Sequence, residues 1–574
     1  MADTAPRDDA AAESARVKFY GQDGAADDYH EEPAPLPRSP QNLFMEFIWW
    51  VLSFTIPGLG MFSEAYFVFS VGNLKPLFKT LYPDCWKNHI TCQSNLTDTL
   101  NYSQVAGIIA GQLFIGFFAD RLGRKYGSIL TAAIMFTFGI GITASAGNEH
   151  TTFVLFTIFQ ALYGVGVGGE YPVASTSANE RAEQDKSLAN KRGQTVVLTF
   201  SMQGWGNLFN TLIILSIMAG FNQYGDPYDD YALQVTWRLS YAFGLLPLGF
   251  ILYWRIFQLS ESAVWKKKRE SLKSLGTSTA FNWTKTKILL WYYWPRIFGT
   301  ALSWFVWDFA FYGNKLFQST FIQVINPGAG LLLTLEWTLL NSAVALVGYY
   351  FAAFTIDRPW MGRMRMQCMG FMWMCALFFS CAGGYNELIT HKYIKAFQFL
   401  YYFSSFWGQF GPNATTWLLP AEVIPTEARS MCHGFSAAVG KAGALVAGVV
   451  FTEVDDRTKF WISGACGAAG AVLTFLFIPD LTGLDLKEGD HRWLALVEGD
   501  AAGYCGPAVA PKHLSVVERF LYRFQEHYDP NWVSPHLAID DVGEGAPEPA
   551  YPAAKGDEDS SEGTPVAHDG HARI

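Results

Sequence analysis

The sequence predicts an all-α membrane protein: twelve transmembrane helices arranged as two pseudo-symmetric six-helix bundles. Three observations carry this expectation. Half of the 574 residues are hydrophobic and only 16% are charged, and apolar stretches long enough to cross a bilayer recur along the chain. The stretches fall into two sets of six, divided by the polar segment from Gln258 to Lys287 with its "WKKKRE" run. Finally, polar and ionisable residues inside the apolar stretches repeat. Glu64, Glu170 and Gln203 in the first half are followed by Asp308, Asn413 and Lys441 at offsets of 244, 243 and 238 positions (308−64, 413−170, 441−203).

The elements follow in order. Residues 1–42 are rich in Ala, Asp, Glu and Pro, the composition of a disordered tail. No basic region followed by an apolar core marks a cleavable signal peptide, so the first helix is expected to stay as a signal anchor. The apolar cores fall near 45–73, 104–119, 126–147, 152–176, 195–220 and 237–257, then 293–317, 329–356, 366–385, 393–419, 430–453 and 459–479. This gives a first bundle over 43–257, a linker over 258–290, a second bundle over 291–480 and a C-terminal tail over 481–574. The tail holds a candidate short amphipathic helix from His513 to Tyr528, and its last thirty residues read as disordered.

Lys and Arg placement sets the orientation. Arg121, Arg124 and Lys125, then Arg181, Lys186, Lys191 and Arg192, then Lys266 to Arg269, then Arg358, Arg363 and Arg365 all fall on one side. Both termini are therefore expected in the cytoplasm. The loop after the first helix then faces outside, and it carries Cys85, Cys92 and the sequons Asn95-Leu-Thr and Asn101-Tyr-Ser. A disulfide and glycosylation are both permitted there. The plasma membrane is the favoured address, and an internal membrane fits the same argument. The net charge of −10 gives no support to nucleic-acid binding.

Between the second and third segments stands "GFFADRLGRK", with Gly116 allowing close helix approach and Asp120 able to accept hydrogen bonds from a neighbouring helix N-terminus. Its echo, Asp357, Arg358 and Arg363, lies 237 positions later (357−120) between the eighth and ninth segments. A basic loop duplicated at the same offset as the buried residues argues for two homologous bundles. This pattern, together with "PAEVIPTEAR" carrying Glu422 and Arg429, resembles the major facilitator superfamily, in which such residues serve gating. The strings "GVGVGGEYP", "MQGWG", "WFVWDFAFYGNKLFQ", "GPNATT" and "CHGFSAAVGKAG" occur in order between Gly58 and Asp480. Together they resemble the proton-coupled inorganic phosphate symporters of fungi and plants. The resemblance implies phosphate ligands at Tyr171, Gln203, Trp304, Asp308, Tyr312, Asn413 and Lys441, with proton coupling by Glu64, Glu170 and Asp308. It also marks departures. Glu170 and Glu64 stand where that family usually has Asp, and Phe67 stands where it has a second Asp. Glu at 170 is shared with the related glycerophosphodiester transporters.

The chemistry is coherent without the resemblance. Each charge at the middle of a membrane helix costs roughly 2.5–3.5 kcal/mol on insertion scales, so four cost on the order of 10 kcal/mol before pairing. Charges kept at repeat-related positions point to a solute that passes between the two halves. An oxyanion needs donors from several directions and a cation, and Lys441 supplies the cation. Trp304, Asp308 and Tyr312 recur at steps of four and share a helix face; the plain alternative is an aromatic packing stripe beside a salt bridge. Lys315 lies near a helix end, from which its ammonium can snorkel. No nucleotide loop, zinc spacing or nucleophile constellation is present, so neither an enzyme nor a resident cofactor is expected. The expected activity is proton-coupled phosphate uptake by alternating access. The alternatives are transport of a glycerophosphodiester or other organic anion and, from a different class, a non-transporting nutrient sensor.

Overall fold

The computed structural model describes residues 43–184, 191–259, 283–326, 328–390 and 392–532. The expected N-terminal tail and the last thirty residues lie outside them. The regular elements among the described residues are all helices, without strands. The first half holds α1 (Leu43–Leu81), α2 (Ser94–Leu122), α3 (Arg124–Ala144), α4 (Glu149–Gln184), α5 (Arg192–Gly220) and α6 (Asp230–Phe257). The second holds α7 (Trp294–Leu316), α8 (Leu331–Thr355), α9 (Gly362–Gly383), α10 (Ile394–Gly408, continued by a π-helical turn at Gln409–Asn413 and by Ala414–Glu422), α11 (Arg429–Glu453) and α12 (Asp456–Phe477). Eight of these are long and apolar enough to cross a membrane: α1, α3, α4, α6, α8, α9, α11 and α12. The other four carry interior polar groups: Gln104 and Gln112 in α2, Gln203, Asn207 and Asn210 in α5, Asp308 in α7, Gln409 and Asn413 in α10.

The packing repeats between halves. α1 lies on α5 as α7 lies on α11; α2 lies on α4 as α8 lies on α10; α3 pairs with α6 as α9 pairs with α12. The halves meet along α2–α11 and α5–α8. The α2–α4 seam shows how sequence dictates approach. Gly107 and Gly111 face the carbonyls of Ala161 and Val165, while Gly164 and Gly168 face those of Gln104 and Ile108. Any Cβ at these four positions would strike backbone, so glycine at steps of four sets the helix separation. In α10, Pro412 removes a backbone donor, and the chain takes a π turn there that turns Gln409 and Asn413 inward.

Two features follow the far ends of the helices. On one side, the far side, Cys85 and Cys92 are disulfide-bonded in the loop after α1. On the near side, where α1 begins and α12 ends, the chain after 480 is built into the fold through Trp532, beyond the single amphipathic helix that its polarity suggested. α13 (Leu486–Glu498) and α14 (Val516–Tyr522) pack beneath the second half. Arg296 of α7 donates to Glu518 at 2.8 Å, the Thr426 amide donates to Asp490 at 2.7 Å and the Trp493 indole donates to Glu427 at 2.8 Å. Buried ion pairs and Trp493 anchor this segment where a tail composition alone shows only polarity.

Candidate functional site

A continuous polar network lies at the meeting of the two halves. Lys441 of α11 donates to Asp308 and to Tyr312 of α7, both at 2.9 Å. Its ammonium also sits 4.3 Å from the Tyr312 ring centroid and 5.0 Å from that of Tyr171 on α4. Tyr171 donates its hydroxyl to Glu64 of α1 at 2.6 Å. The Gln203 amide of α5 donates to Glu64 and to the Tyr171 oxygen, each at 3.3 Å. From the second half, Tyr349 of α8 donates to the Gln203 carbonyl at 2.7 Å, and Asn413 of α10 donates to the same oxygen at 3.0 Å and to Tyr349 at 2.6 Å. Trp304 packs across the seam, its ring 6.2 Å from Tyr171, because Gly440 leaves it room. The spacing of four along α7 therefore puts Trp304, Asp308 and Tyr312 on the side facing Lys441. Glu64, Asp308 and Lys441 are each at most 2% exposed, so the network is occluded.

Every residue expected to bind the solute joins this network, and so does Glu64. Glu170 stands apart from it. Its carboxylate is held by Arg255 of α6 through both oxygens, one at 2.8 Å, and accepts from Thr131 at 2.8 Å; Arg255 also donates to the Ser128 carbonyl at 2.8 Å. Gly60 of α1 packs directly on this pair, and a Cβ there would collide with both members. Phe67 fills a space lined by Tyr163 and Tyr241, with ring centroids at 4.6 and 5.4 Å.

A separate charged cluster closes the near side. Glu422 at the end of α10 accepts from Arg192 of α5 at 2.8 Å and from Arg363 of α9 at 3.0 and 3.1 Å. Asp357 pairs with Arg363 at 2.7 Å and accepts from the Gly193 and Gln194 amides at 3.2 and 2.7 Å. This is a carboxylate set on the positive N-terminus of α5, reaching from the other half. Arg429 is buried at the start of α11, and Arg358 is exposed. Gly116, Asp120, Arg121 and Arg124 lie where only backbone is described, at the α2–α3 junction.

Five contributors were not singled out as site residues from the sequence. Tyr349 lies in an apolar helix of a chain with 26 tyrosines and gave no signal. Gln409 and Trp307 hold Asn413 from one turn before it and from α7; a polar pair four apart in an apolar segment marks Gln409. Arg192 was visible only as a topological charge, and Arg255 was not singled out, although the rule that intramembrane charges have partners applies to it.

The chain matches the family described as sugar (and other) transporters over residues 54–287 and 299–493. It belongs to that family. Among curated relatives, a low affinity inorganic phosphate transporter of Petunia hybrida is 31% identical over 496 residues, covering 75% of this chain and 91% of the relative. A putative inorganic phosphate transporter of Oryza sativa subsp. japonica is 28% identical over 479 residues, covering 76% and 90%. Among solved structures, the major facilitator superfamily proton:xylose symporter XylE bound to 6-bromo-6-deoxy-D-glucose superposes with a TM-score of 0.64 at 18% identity, covering 77% of this chain and 99% of that one. The protein is thus a multi-pass membrane transporter of the major facilitator superfamily and not an enzyme.

Proposed function

We propose that this transporter carries inorganic phosphate with protons, by alternating access through twelve membrane-spanning helices. The observation that carries the reading is Lys441, an ammonium held by Asp308 and Tyr312 at the centre of a network drawn from both halves. Its partners are ones that an oxyanion can replace or join: phosphate oxygens accept from Lys441, Tyr171, Tyr312, Gln203, Asn413 and the Trp304 indole. The charge balance then favours protons as co-substrates. Glu64, Asp308 and Lys441 sum to −1 when all are ionised, so an added phosphate takes a dry site to −2 or beyond. Protons carried on Glu64 and Asp308 remove that excess, and their loss after opening repels the anion. Glu170 is assigned a coupling role through Arg255, whose release on protonation of Glu170 frees α6 from α3 and α4. The named phosphate transporters among the relatives support the choice of cargo.

Gating falls to the near-side cluster, with Arg192, Asp357, Arg363 and Glu422 closed in this conformation and Gly116, Asp120, Arg121, Arg124, Arg358 and Arg429 at the corresponding junctions. With Lys and Arg enriched on the near side, both termini are assigned to the cytoplasm, in the plasma membrane. The far-side disulfide agrees with an oxidising exterior. Radiolabelled phosphate uptake into proteoliposomes is the test. Uptake rises with an inward proton gradient and collapses with a protonophore; uptake that follows sodium and ignores the protonophore would overturn the coupling, and uptake of glycerophosphodiesters but not phosphate would overturn the cargo.

A further inference from the structure

Outward from Lys441, ammonium groups recur toward the far side, and two of them, Lys315 and Lys75, have no ion-pair partner among the described residues. Lys315 stands three residues beyond Tyr312 on α7 and donates to Gln318 at 3.0 Å. Lys75 of α1 and Lys459 of α12 flank one ring, Phe317, at 5.4 and 4.9 Å from its centroid. Lys459 has Asp456 at 2.8 Å. Among the described residues, no carboxylate lies within ion-pair distance of Lys315 or Lys75. The near side is the reverse: Arg192 and Arg363 are both matched by Glu422.

Lys315 also borders two small cavities. One lies between the halves, walled by Phe69, Gly72, Asn73, Gln104, Gln160 and Tyr312. The other lies behind α7, walled in part by Asn314, Gln318, Asn341 and Gln409. Each contains an amide donor with nothing to donate to, and each also holds amide oxygen without a donor, Gln160 Oε1 in the first and Asn314 and Asn341 Oδ1 in the second. Gln104 Nε2 in the first and Gln318 Nε2 in the second are buried without a hydrogen-bond partner, in side chains 3% and 4% exposed. Buried donors left unsatisfied cost about 1–3 kcal/mol each. In the first cavity a half-buried ammonium and an unsatisfied amide donor together offer two contacts to an oxyanion.

We propose that Lys315, with Gln104 in the cavity between the halves, forms a second and weaker oxyanion station on the far side of Tyr312, with Lys75 and Lys459 further out around Phe317. Phosphate lodges there first and passes inward across Tyr312 to Lys441. The inference rests on phosphate as the cargo and adds a station to its path. It also gives the far side a reason to open and close. Lys75 belongs to the first half and Lys315 and Lys459 to the second, so closing brings like charges together unless an anion lies between them.

The test uses full-length purified protein, inorganic phosphate as probe and chloride to match ionic strength. Wild type shows two classes of phosphate binding, one tight and one weak. Lys441→Ala loses the tight class and keeps the weak one, followed by 31P line broadening; Lys441→Ala with Lys315→Gln loses both. In uptake, Lys315→Gln raises KM about tenfold at low salt, the lower end of what electrostatic steering gives, with a smaller fall in kcat, and flattens the salt dependence of KM. Lys315→Arg restores the wild-type slope, which a purely structural role would not require. Weak binding that survives in the double variant, or a wild-type KM and salt slope in Lys315→Gln, overturns the station while leaving Lys441 as the main site. No phosphate binding in wild type overturns both.

Discussion

Glu170→Gln is expected to damage the fold before it reports on coupling. The carboxylate is fully buried, its partner Arg255 is 7% exposed at the side chain, and the pair is joined through both carboxylate oxygens. Glutamine keeps the size and one acceptor but strands the guanidinium, which retains only the Ser128 carbonyl as a full partner. Breaking a buried pair by removing one member costs about 3–5 kcal/mol, whereas removing both charges together is far cheaper. The single variants Glu170→Gln and Arg255→Gln should therefore each lose about 3–5 kcal/mol, and the double variant less than either. The resulting coupling energy is about 3 kcal/mol or more, at the top of the range for contacting residues. Equilibrium unfolding in mixed micelles, followed by tryptophan fluorescence on all four proteins, measures it. Concentrative uptake is then compared in the double variant, where no charge is stranded. A folded double variant that equilibrates phosphate but cannot accumulate it assigns Glu170 to coupling. Singles at the wild-type midpoint, or effects that simply add, would refute the buried pair.

Three further outcomes follow from particular contacts. Glu422→Gln removes the charge that Arg192 and Arg363 share and leaves Arg363 on Asp357 alone, so a cysteine placed at Ser175, which touches the Trp417 carbonyl across the seam, should label faster from the near side; an unchanged rate would remove Glu422 from the gate. Phe67→Asp should lower stability by at least the roughly 3–5 kcal/mol of a Phe→Ala change, because it empties the ring's place in the Tyr163–Tyr241 nest and buries a carboxyl there; a stable variant with enhanced coupling would contradict that. Burial alone would raise the Glu518 carboxyl, but Arg296 and Arg492 beside it hold it below its usual 4.5. A lowered folded pKa contributes stability above the unfolded value and loses it as pH falls through the folded one. The Glu518 contribution should therefore fade only below about pH 4.5, whereas the buried His513 of the same segment, held below its usual 6.5 by burial, weakens the fold from about pH 6.5 down. Proteolysis of the segment after 480 that does not accelerate further below about pH 4.5 would count against the Arg296–Glu518 anchor.

Much of this architecture was legible because membrane burial leaves a coarse record. Helix cores were placed by apolar length, and the duplicated Asp357 loop and the 244-position offset of Asp308 exposed the internal repeat. Trp304, Asp308 and Tyr312 were readable as one face because their spacing is helical. Partners were harder. Arg255 finds Glu170, 85 positions earlier, through tertiary packing that no local spacing encodes, and Tyr349 is chemically ordinary until α8 packs on α5. Ends were also obscure: α1 runs on to Leu81 and α2 starts at Ser94, since the disulfide loop extends helices past their apolar cores. The segment after 480 is held by Glu518 and Trp493, whose partners Arg296 and Glu427 lie far back in the chain.

The central claim is that Lys441 compensates the anion at the meeting of the halves. Phosphate titration of folded, purified wild type and Lys441→Ala, with Lys441→Ala/Asp308→Asn as the variant that leaves neither charge stranded, tests it most directly. Saturable tight binding is expected in wild type and its loss in both variants, with the double variant unfolding at a higher denaturant concentration than the single. Tight phosphate binding retained in either folded variant would place the anion elsewhere and contradict the account.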